Sequence, residues 1–255
     1  MIRALVALLL ACAAAIVQAQ DVSRVKDEVL RFYGYGYDLA SNAYIYTEVH
    51  AQRIVDGRWA GGTITFFAPD GSRIGVKTLD FKDDPYVPVY RLDLEQDGYY
   101  EAITSGGDPM MMERRNGRER KLESAAVAKV GSVCADSGFH SFIRDHFKEL
   151  LGGQTLKLRL AVAGSLDTFR FRMKRIGDTR FGEQPGVRFL VEPDSLLRFV
   201  VDPLELTYET SEMKLLEFRG ISNVHDPHTG RQYTARVAYY AKPPAEAPKS
   251  LPPLE

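Results

Sequence analysis

Residues 43–81 read AYIYTEVHAQRIVDGRWAGGTITFFAPDGSRIGVKTLDF, and this stretch decides the fold. Apolar and polar residues alternate in three runs, with the two-residue period of a half-buried β-strand. Turn residues divide the runs at Asp56-Gly57 and at Pro69-Asp70-Gly71. β-branched and aromatic runs separated by such short turns are typical of antiparallel hairpins. The stretch therefore predicts three strands of an antiparallel meander.

The same pattern continues toward the C terminus, with turn pairs such as Asp97-Gly98 and Asn116-Gly117. The further predicted strands cover residues 86–94, 99–104, 110–115, 118–122, 155–163, 168–176, 204–209, 214–221 and 233–240. Strands and helices do not alternate along the chain, which argues against a parallel α/β sheet. The predicted fold class is mainly β (α+β).

Two helices are predicted beside these strands. The first precedes the meander, where Val22, Val25, Val29 and Phe32 recur at helical spacing. The second spans residues 137–151, with Asp136 or Ser137 as N-cap and Gly152-Gly153 as its stop. Its apolar stripe consists of Phe139, Phe142, Ile143, Phe147, Leu150 and Leu151. This helix is predicted to cover the sheet.

Cys134, His140 and His146 lie in or just before the second helix and raise the question of a catalytic or metal site. The two histidines are six residues apart, so a helix turns them to widely separated faces. Zinc binding or thiol catalysis requires such groups to converge. We therefore expect Cys134 to be a small, partly buried apolar residue without a catalytic role.

The N terminus has the pattern of a secretory signal peptide. One cation, Arg3, precedes an apolar run over residues 4–17, and Val17-Gln18-Ala19 provides small residues at a cleavage site. Residues 1–19 are predicted to be removed, with export to the bacterial periplasm. The alternative is a lipoprotein anchored at Cys12.

Charge and composition limit the remaining possibilities. The chain has 33 lysines and arginines against 34 acids, so it lacks the basic excess of nucleic-acid-binding proteins. Without a second cysteine after cleavage, the fold must depend on its core and not on a disulfide. Residues 20–241 are predicted as a single β-rich domain. Residues 242–255, KPPAEAPKSLPPLE, are predicted as a disordered proline-rich tail.

Two strands in the second half, residues 155–163 and 168–176, place cations on one side. If they pair as a hairpin, one face carries Lys157, Arg159, Arg170, Arg172 and Lys174. Like charges on facing strands repel, so acidic neighbours or an anionic ligand must compensate them. Acidic neighbours are the preferred interpretation, with Glu205, Glu209 and Glu217 as candidates.

The remaining motifs are weak. His225-Asp226-Pro227-His228 holds two imidazoles, but Asp-Pro followed by Thr229-Gly230 is ordinary turn chemistry. Whether this turn binds metal stays open, and no metal site or cofactor is predicted. No P-loop, G-x-S-x-G, H-E-x-x-H or C-x-x-C motif occurs.

The organisation of residues 21–240 resembles that of periplasmic proteins of the lipoprotein-carrier superfamily. The resemblance rests on the order of the predicted elements and on hairpins such as FAPDGSRIGVKTLDF (67–81) and LTYETSEMKLLEFRGIS (206–222). It implies a curved antiparallel meander that forms an incomplete barrel, whose apolar groove is covered by one or two amphipathic helices.

Three functions remain open. The leading hypothesis is a non-catalytic periplasmic binding or carrier protein for a lipid or other amphiphile. Its candidate ligand-binding residues are Phe139, Phe142, Phe147, Leu158, Phe169, Phe171, Lys157, Arg159, Arg170 and Arg172. The alternatives are an envelope hydrolase whose site assembles only in the fold, and a scaffolding domain whose groove is filled by its own side chains. An envelope protein is a further candidate partner.

Overall fold

The computed structural model describes residues 26–195 and 202–252. Fifteen strands form one sheet within these ranges. The strands of the first half are β1 Asp27–Asp38, β2 Tyr44–Val55, β3 Arg58–Phe67, β4 Arg73–Asp80, β5 Val89–Leu94, β6 Tyr99–Ser105, β7 Met110–Asn116 and β8 Glu123–Val127. Those of the second half are β9 Val133–Ala135, β10 Leu156–Val162, β11 Asp167–Phe181, β12 Gln184–Pro193, β13 Leu204–Glu209, β14 Leu215–His225 and β15 Gln232–Tyr239. The helices are α1 Gly138–Asp145 and α2 Phe147–Leu151.

The strand order is β8 to β1 in sequence, followed by β15 down to β9. The first and last strands are therefore neighbours at the centre of the sheet, and Gly34 pairs with Tyr239 there. Neighbouring strands are antiparallel, except that β9 runs parallel to β10. The prediction of a mainly β fold built on a long antiparallel meander is confirmed, and the sheet is unclosed.

The two edges of the sheet, β8 and β9, do not pair with each other. Instead, β9 is buried on both sides. Val133 and Ala135 belong to a cluster formed largely by β2–β7, whereas Cys134 between them belongs to a second cluster with the helices and β10–β13. Neighbouring side chains on a strand point to opposite faces, so the sheet overlaps itself at this edge.

A short 3-10 turn, Ala163–Ser165, fixes the overlap. Arg114 on β7 donates a hydrogen bond from Nη1 to the carbonyl oxygen of Gly164, at 3.0 Å. Gly164 lies close against Tyr99 and Glu101, and a Cβ added to it would lie 2.6 Å from Oε2 of Glu101. The turn between β10 and β11 therefore fits onto β6 and β7 without a side chain of its own.

The predicted N-terminal helix is wrong where the structure can test it. Val29 and Phe32 lie on β1, while Val22 and Val25 are outside the described residues. Tyrosines recur every second residue from Tyr33, which is the strand period, and β1 pairs with β2 along nearly its whole length. This pairing outweighs a helical spacing of only a few valines.

Other strand predictions need correction. Residues 118–122 form a turn and a short irregular stretch, and the strand begins only at Glu123. β9 and β12 were not predicted from the sequence. β9 is only three residues long, and β12 has Pro185 and Gly186 directly after its first residue, and both features weaken a strand pattern.

The single helix predicted over residues 137–151 is two helices, interrupted at His146. Neither Asp136 nor Ser137 makes the expected side-chain cap. Oδ1 of Asp136 instead accepts hydrogen bonds from the backbone N–H and the hydroxyl of Ser137. Gly153, at φ +83°, provides the predicted left-handed stop. Leu151 was expected in the apolar stripe but is exposed.

Candidate functional site

A cavity of about 1170 Å³ lies inside the curved sheet. Its walls are largely apolar and include Ile64 and Phe66 of β3, Leu206 of β13, Phe218 of β14 and Val237 of β15. The two helices fill the part of the interior next to β10–β13, where Phe142, Ile143, Phe147 and Leu150 are buried. The cavity lies beside this helical plug, and α1 contributes Phe139 and His140 to its lining.

A buried ion pair interrupts the apolar wall. Lys77 on β4 donates from Nζ to Oδ2 of Asp136 at 2.5 Å and to Oδ1 of Asn223 at 2.8 Å. The ammonium also lies 5.8 Å from the centre of the Tyr90 ring. A buried ammonium is stable only when paired and hydrogen-bonded, and this environment provides both. The pair connects the wall of the cavity to the segment that leads into α1.

A second polar cluster lies on β2. Oε2 of Glu48 and Nε2 of His50 are 2.7 Å apart, and both side chains are buried. The imidazole stacks on Phe32 with ring centres 4.4 Å apart, and its Nδ1 has no hydrogen-bond partner among the described residues. Burial, together with the nearby Glu48 carboxyl group, raises the pKa of Tyr239 well above its usual value. The cluster thus combines an acid, an imidazole and a neutral phenol.

A third polar contact joins the plug to the sheet. Nδ1 of His140 and the hydroxyl of Tyr208 are 2.9 Å apart, and the two rings stack. Burial, reinforced by the positive charge of Arg144, lowers the pKa of His140 to about 3. The imidazole is therefore neutral near pH 7 and serves as a packing and hydrogen-bonding group.

The ten candidate ligand-binding residues separate into three groups. Those that line the cavity are Phe139, Arg159, Phe169, Arg170 and Phe171. Those that are buried in the cluster between the plug and the sheet are Phe142, Phe147 and Leu158. Those that pair with acids outside the cavity lining are Lys157 and Arg172.

The cation-bearing hairpin forms as predicted, with Arg159 opposite Arg170 and Lys157 opposite Arg172. Acidic neighbours compensate three of the five cations, and these acids lie on and just after the missed strand β12. The ion pairs are Lys157–Asp194 at 3.1 Å, Arg172–Glu192 at 2.6 Å and Lys174–Glu192 at 3.3 Å. Arg159 donates to the hydroxyl of Thr168 at 3.2 Å.

The three acids proposed for this role from the sequence are engaged elsewhere. Glu205 pairs with Arg188, and Glu217 pairs with Arg219 and Arg236. Glu209 accepts hydrogen bonds from backbone N–H groups two and three residues later in the chain. The prediction that these three acids compensate the hairpin was wrong because β12, which separates β13 from the hairpin, was not recognised.

The residues first suspected of thiol or metal chemistry do not converge. Cys134 is fully buried, and burial raises the pKa of its thiol. His146 pairs with Glu149, whereas His140 contacts Tyr208. Within the described ranges no three His, Cys, Asp or Glu side chains are placed to hold a metal ion.

The side-chain hydrogen bonds around residues 225–228 are those of an ordinary turn. Nδ1 of His225 lies 2.6 Å from Oδ2 of Asp97. Asp226 accepts from the backbone N–H of His228 and from the hydroxyl of Thr229. The two imidazoles therefore have different surroundings, and His228 is exposed.

Sequence reasoning missed the buried polar groups of the cavity, above all Glu48, His50, Lys77 and Asp136. A weak signal exists, since Glu48, His50 and Lys77 occupy inward positions next to apolar inward residues such as Tyr46, Ile64 and Phe66. The sequence does not show which face of these strands is inward, however, because both faces carry β-branched or aromatic residues.

The sheet and its cavity define a mainly β protein with an unclosed, barrel-like architecture. No protein-family model matches the sequence, and no curated protein matches it either. Among solved structures, the chain is similar to the crystal structure of a β-barrel-like protein of the domain of unknown function DUF1849 from Brucella abortus. The similarity has a TM-score of 0.46 at 8% identity, and it covers 84% of this chain and 97% of that chain. The resemblance to the lipoprotein-carrier superfamily stays a prediction.

None of the helices in the described ranges is both long enough and apolar enough to span a membrane.

Proposed function

We propose that this chain binds a lipid or another amphiphile in its interior cavity, as a periplasmic binding or carrier protein. The observation that carries the proposal is the cavity of about 1170 Å³ with largely apolar walls. Pockets for drug-sized ligands measure roughly 300–1,000 Å³, so this space has room for a long or branched apolar group.

The buried polar groups support an amphiphile over a plain hydrocarbon. Ligand sites are mostly apolar, with a few polar groups that fix the orientation of the ligand. Lys77 with Asp136, and Glu48 with His50, supply such groups at two places in the wall. A ligand with one polar end would have its hydrogen bonds met at either place while its apolar part contacts Phe66 and Leu206.

The hydrolase alternative has one observation in its favour, the buried contact between Glu48 and His50. A mechanism with a base-activated hydroxyl or thiol also needs a serine, threonine or cysteine within hydrogen-bond reach of the base. Among the described residues, Nδ1 of His50 has no partner, and the buried Ser222 bonds to Tyr46 instead. The arrangement therefore favours binding over hydrolysis.

The scaffold alternative requires an interior filled by the chain's own side chains. The plug fills only the side next to β10–β13, and the open volume favours a ligand in the remaining space.

Native mass spectrometry of the protein purified from periplasm tests the proposal. We expect a co-purified species whose mass is that of a lipid or other amphiphile, and organic extraction should release it. Protein that carries no such ligand, and that also fails to take up a fatty acid or a phospholipid after delipidation, would contradict the proposal.

A matched pair of variants locates the site. Phe169 and Ile176 lie on β11 with 38% and 37% exposure, but only Phe169 lines the cavity. Phe169→Ala should weaken binding of a fluorescent fatty acid by about fivefold to tenfold, since it removes roughly 1–1.4 kcal/mol of apolar contact. Ile176→Ala should leave the affinity unchanged. Equal effects of the two substitutions would place the ligand elsewhere.

The proposed export has its own test. Residues 1–19 lie outside the described residues. Intact-mass measurement of the exported protein should give a chain that begins at Gln20. A diacylated species that begins at Cys12 would establish the lipoprotein alternative instead.

A further inference from the structure

The outer face of the central strands carries a buried aromatic surface. Phe32 faces the cavity, and a Cβ added to Gly34 would lie 2.8 Å from the inward ring of Tyr239. Because neighbouring side chains on a strand alternate between faces, Tyr33 and Tyr35 point outward. The tyrosines of β1 thus lie on the opposite face from the cavity.

Part of this outer face is as buried as a core. Tyr35, Val49 and Ala238 are 1%, 8% and 3% exposed, yet none belongs to either interior cluster. They are neighbours in the sheet, because Tyr35 pairs with Ala238 and Tyr33 pairs with Val49. We call Tyr33, Tyr35, Tyr37, Tyr44, Val49 and Ala238 the outer tyrosine surface. Something outside the sheet must cover it.

The segment after β15, residues 242–252, lies against this surface. Tyr33 donates a hydrogen bond from its hydroxyl to the carbonyl oxygen of Pro252, at 2.7 Å. A Cβ placed on Gly71, in the turn after β3, would lie 3.6 Å from Cβ of Pro248. Burial raises the pKa of Tyr37 and Tyr44, and the carboxylate of Glu246 contributes to both shifts. The segment therefore crosses the outer tyrosine surface from one end to the other.

The segment presents its apolar side to the sheet. Its half-buried residues are Pro244, Ala247, Pro248 and Leu251, whereas its exposed residues include Lys242, Glu246 and Lys249. Proline-rich segments bind aromatic-lined surfaces because their backbone has little conformational freedom to lose. The contact between prolines and tyrosines here has that chemistry.

We propose that the outer tyrosine surface is a docking site for a proline-rich segment of a partner protein, and that residues 242–252 occupy it in the free chain. The segment is held to the surface by few polar contacts: Pro243 and Pro252 are exposed, and a single side-chain hydrogen bond joins the two among the described residues. A partner segment can therefore displace it. The surface lies on the other side of the sheet from the cavity, so this inference does not depend on the proposed function.

The test uses the full chain and a fluorescein-labelled peptide with the sequence of residues 241–255. In one variant, the tail prolines at 243, 244, 248, 252 and 253 are changed to serine. A tethered segment has an effective concentration on the order of 1 mM, so the native tail should exclude the peptide. We expect fluorescence anisotropy to show binding to the serine variant at least tenfold tighter than to the unaltered chain. A peptide with the same five serines should not bind.

A second pair of variants, made in the serine-tail chain, locates the site. Tyr33→Phe removes the hydroxyl that donates to Pro252 and should weaken peptide binding about threefold to tenfold. Tyr100→Phe is the control, because Tyr100 is also half-buried but its hydroxyl bonds to Glu113 on β7. Absence of peptide binding to the serine variant, equal binding to both chains, or equal effects of the two tyrosine substitutions would each overturn the proposal.

Discussion

Lys77 and Asp136 form an ion pair in which Nζ and Oδ2 are 2.5 Å apart and the side chains are only 3% and 7% exposed. Lys77 belongs to the wall of the cavity, and Asp136 lies two residues before the first plug helix. Asp136 has a backbone φ of +44°, a conformation that aspartate and asparagine tolerate better than most residues. The pair therefore fixes the position of the plug relative to the sheet.

Breaking this pair should strongly destabilise the protein. Lys77→Met leaves the Asp136 carboxylate buried without its cationic partner, and such a loss typically costs about 3–5 kcal/mol. Urea denaturation measures it. The double variant Lys77→Met with Asp136→Asn removes both charges and should recover part of the loss. Asp27→Asn is the control, since its pair with Arg53 is exposed and should contribute little. A Lys77→Met chain as stable as the control would contradict the role of the pair.

Stability should fall as the pH is lowered because of His140. Its pKa is about 3 in the folded chain, against 6.5 for an ordinary histidine, because the ring is buried. Between these values the unfolded chain binds a proton that the folded chain does not, so acid favours unfolding. The loss should begin as the pH drops below about 6.5 and continue toward pH 3. Chemical denaturation at a series of pH values measures this slope.

The matched variants are His140→Gln and His228→Gln. Glutamine at position 140 retains a hydrogen-bonding group near Tyr208 but does not titrate. The stability of the His140→Gln protein should therefore depend less on pH in this window. His228 is exposed in a turn, and its substitution should leave the wild-type profile unchanged. Identical profiles for all three chains would show that His140 does not account for the slope.

The plug phenylalanines should be costly to remove. Phe142 and Phe147 are buried, and Phe147 packs edge-on against Phe189 with ring centres 5.5 Å apart. Each change to alanine should lower the free energy of unfolding by about 3–5 kcal/mol, as expected for a core that cannot collapse. The control Leu151→Ala lies on the exposed side of the same segment and should cost less than about 0.5 kcal/mol. Small losses at positions 142 and 147 would indicate a loosely held lid.

The overlap of the sheet edges should depend on Gly164. A methyl group there would clash with the hydroxyl of Tyr99 and the carboxylate of Glu101. Overpacking of this kind costs about 1–3 kcal/mol, so Gly164→Ala should lower the thermal midpoint. Gly152→Ala is the matched control, because Gly152 has φ −70° and an added Cβ would lie no closer than 3.4 Å to its neighbours. Equal midpoints for the two variants would show that the overlap tolerates a side chain.

Much of the sheet could be predicted from the sequence because its strands are joined by short turns. The run from Tyr44 to Asp80 alternates regularly and is divided by Asp-Gly turns, so local patterns and tertiary pairing agree there. They disagree at β1, where a few valines at helical spacing are outweighed by pairing with both β2 and β15. The tyrosines of β1 do follow the strand period, but its pairing with β15, the last strand, cannot be seen in a local window of sequence.

The cavity could be predicted only in part, because the sequence does not show how a sheet curves. Phe169 and Phe171 of the cation-bearing hairpin line the cavity, but so do Arg159 and Arg170 on the alternate positions of its strands. Lys77 and Asp136 are 59 residues apart and meet only when α1 is seated against β4. Their partnership depends on the position of a helix relative to a sheet, which residue spacing cannot reveal.

The neighbouring position of the first and last strands has a consequence for the order of events in folding. β1 and β14 each lack a partner on one side until β15, which ends at Tyr239, is available. The central ladder therefore forms only once the chain is available as far as β15, the last strand along the sequence. Closing so long a loop is slow compared with forming local hairpins. The two halves of the sheet, each built from hairpins, should therefore form early. The pairing of β1 with β15 along the middle of the sheet should then limit the rate of folding.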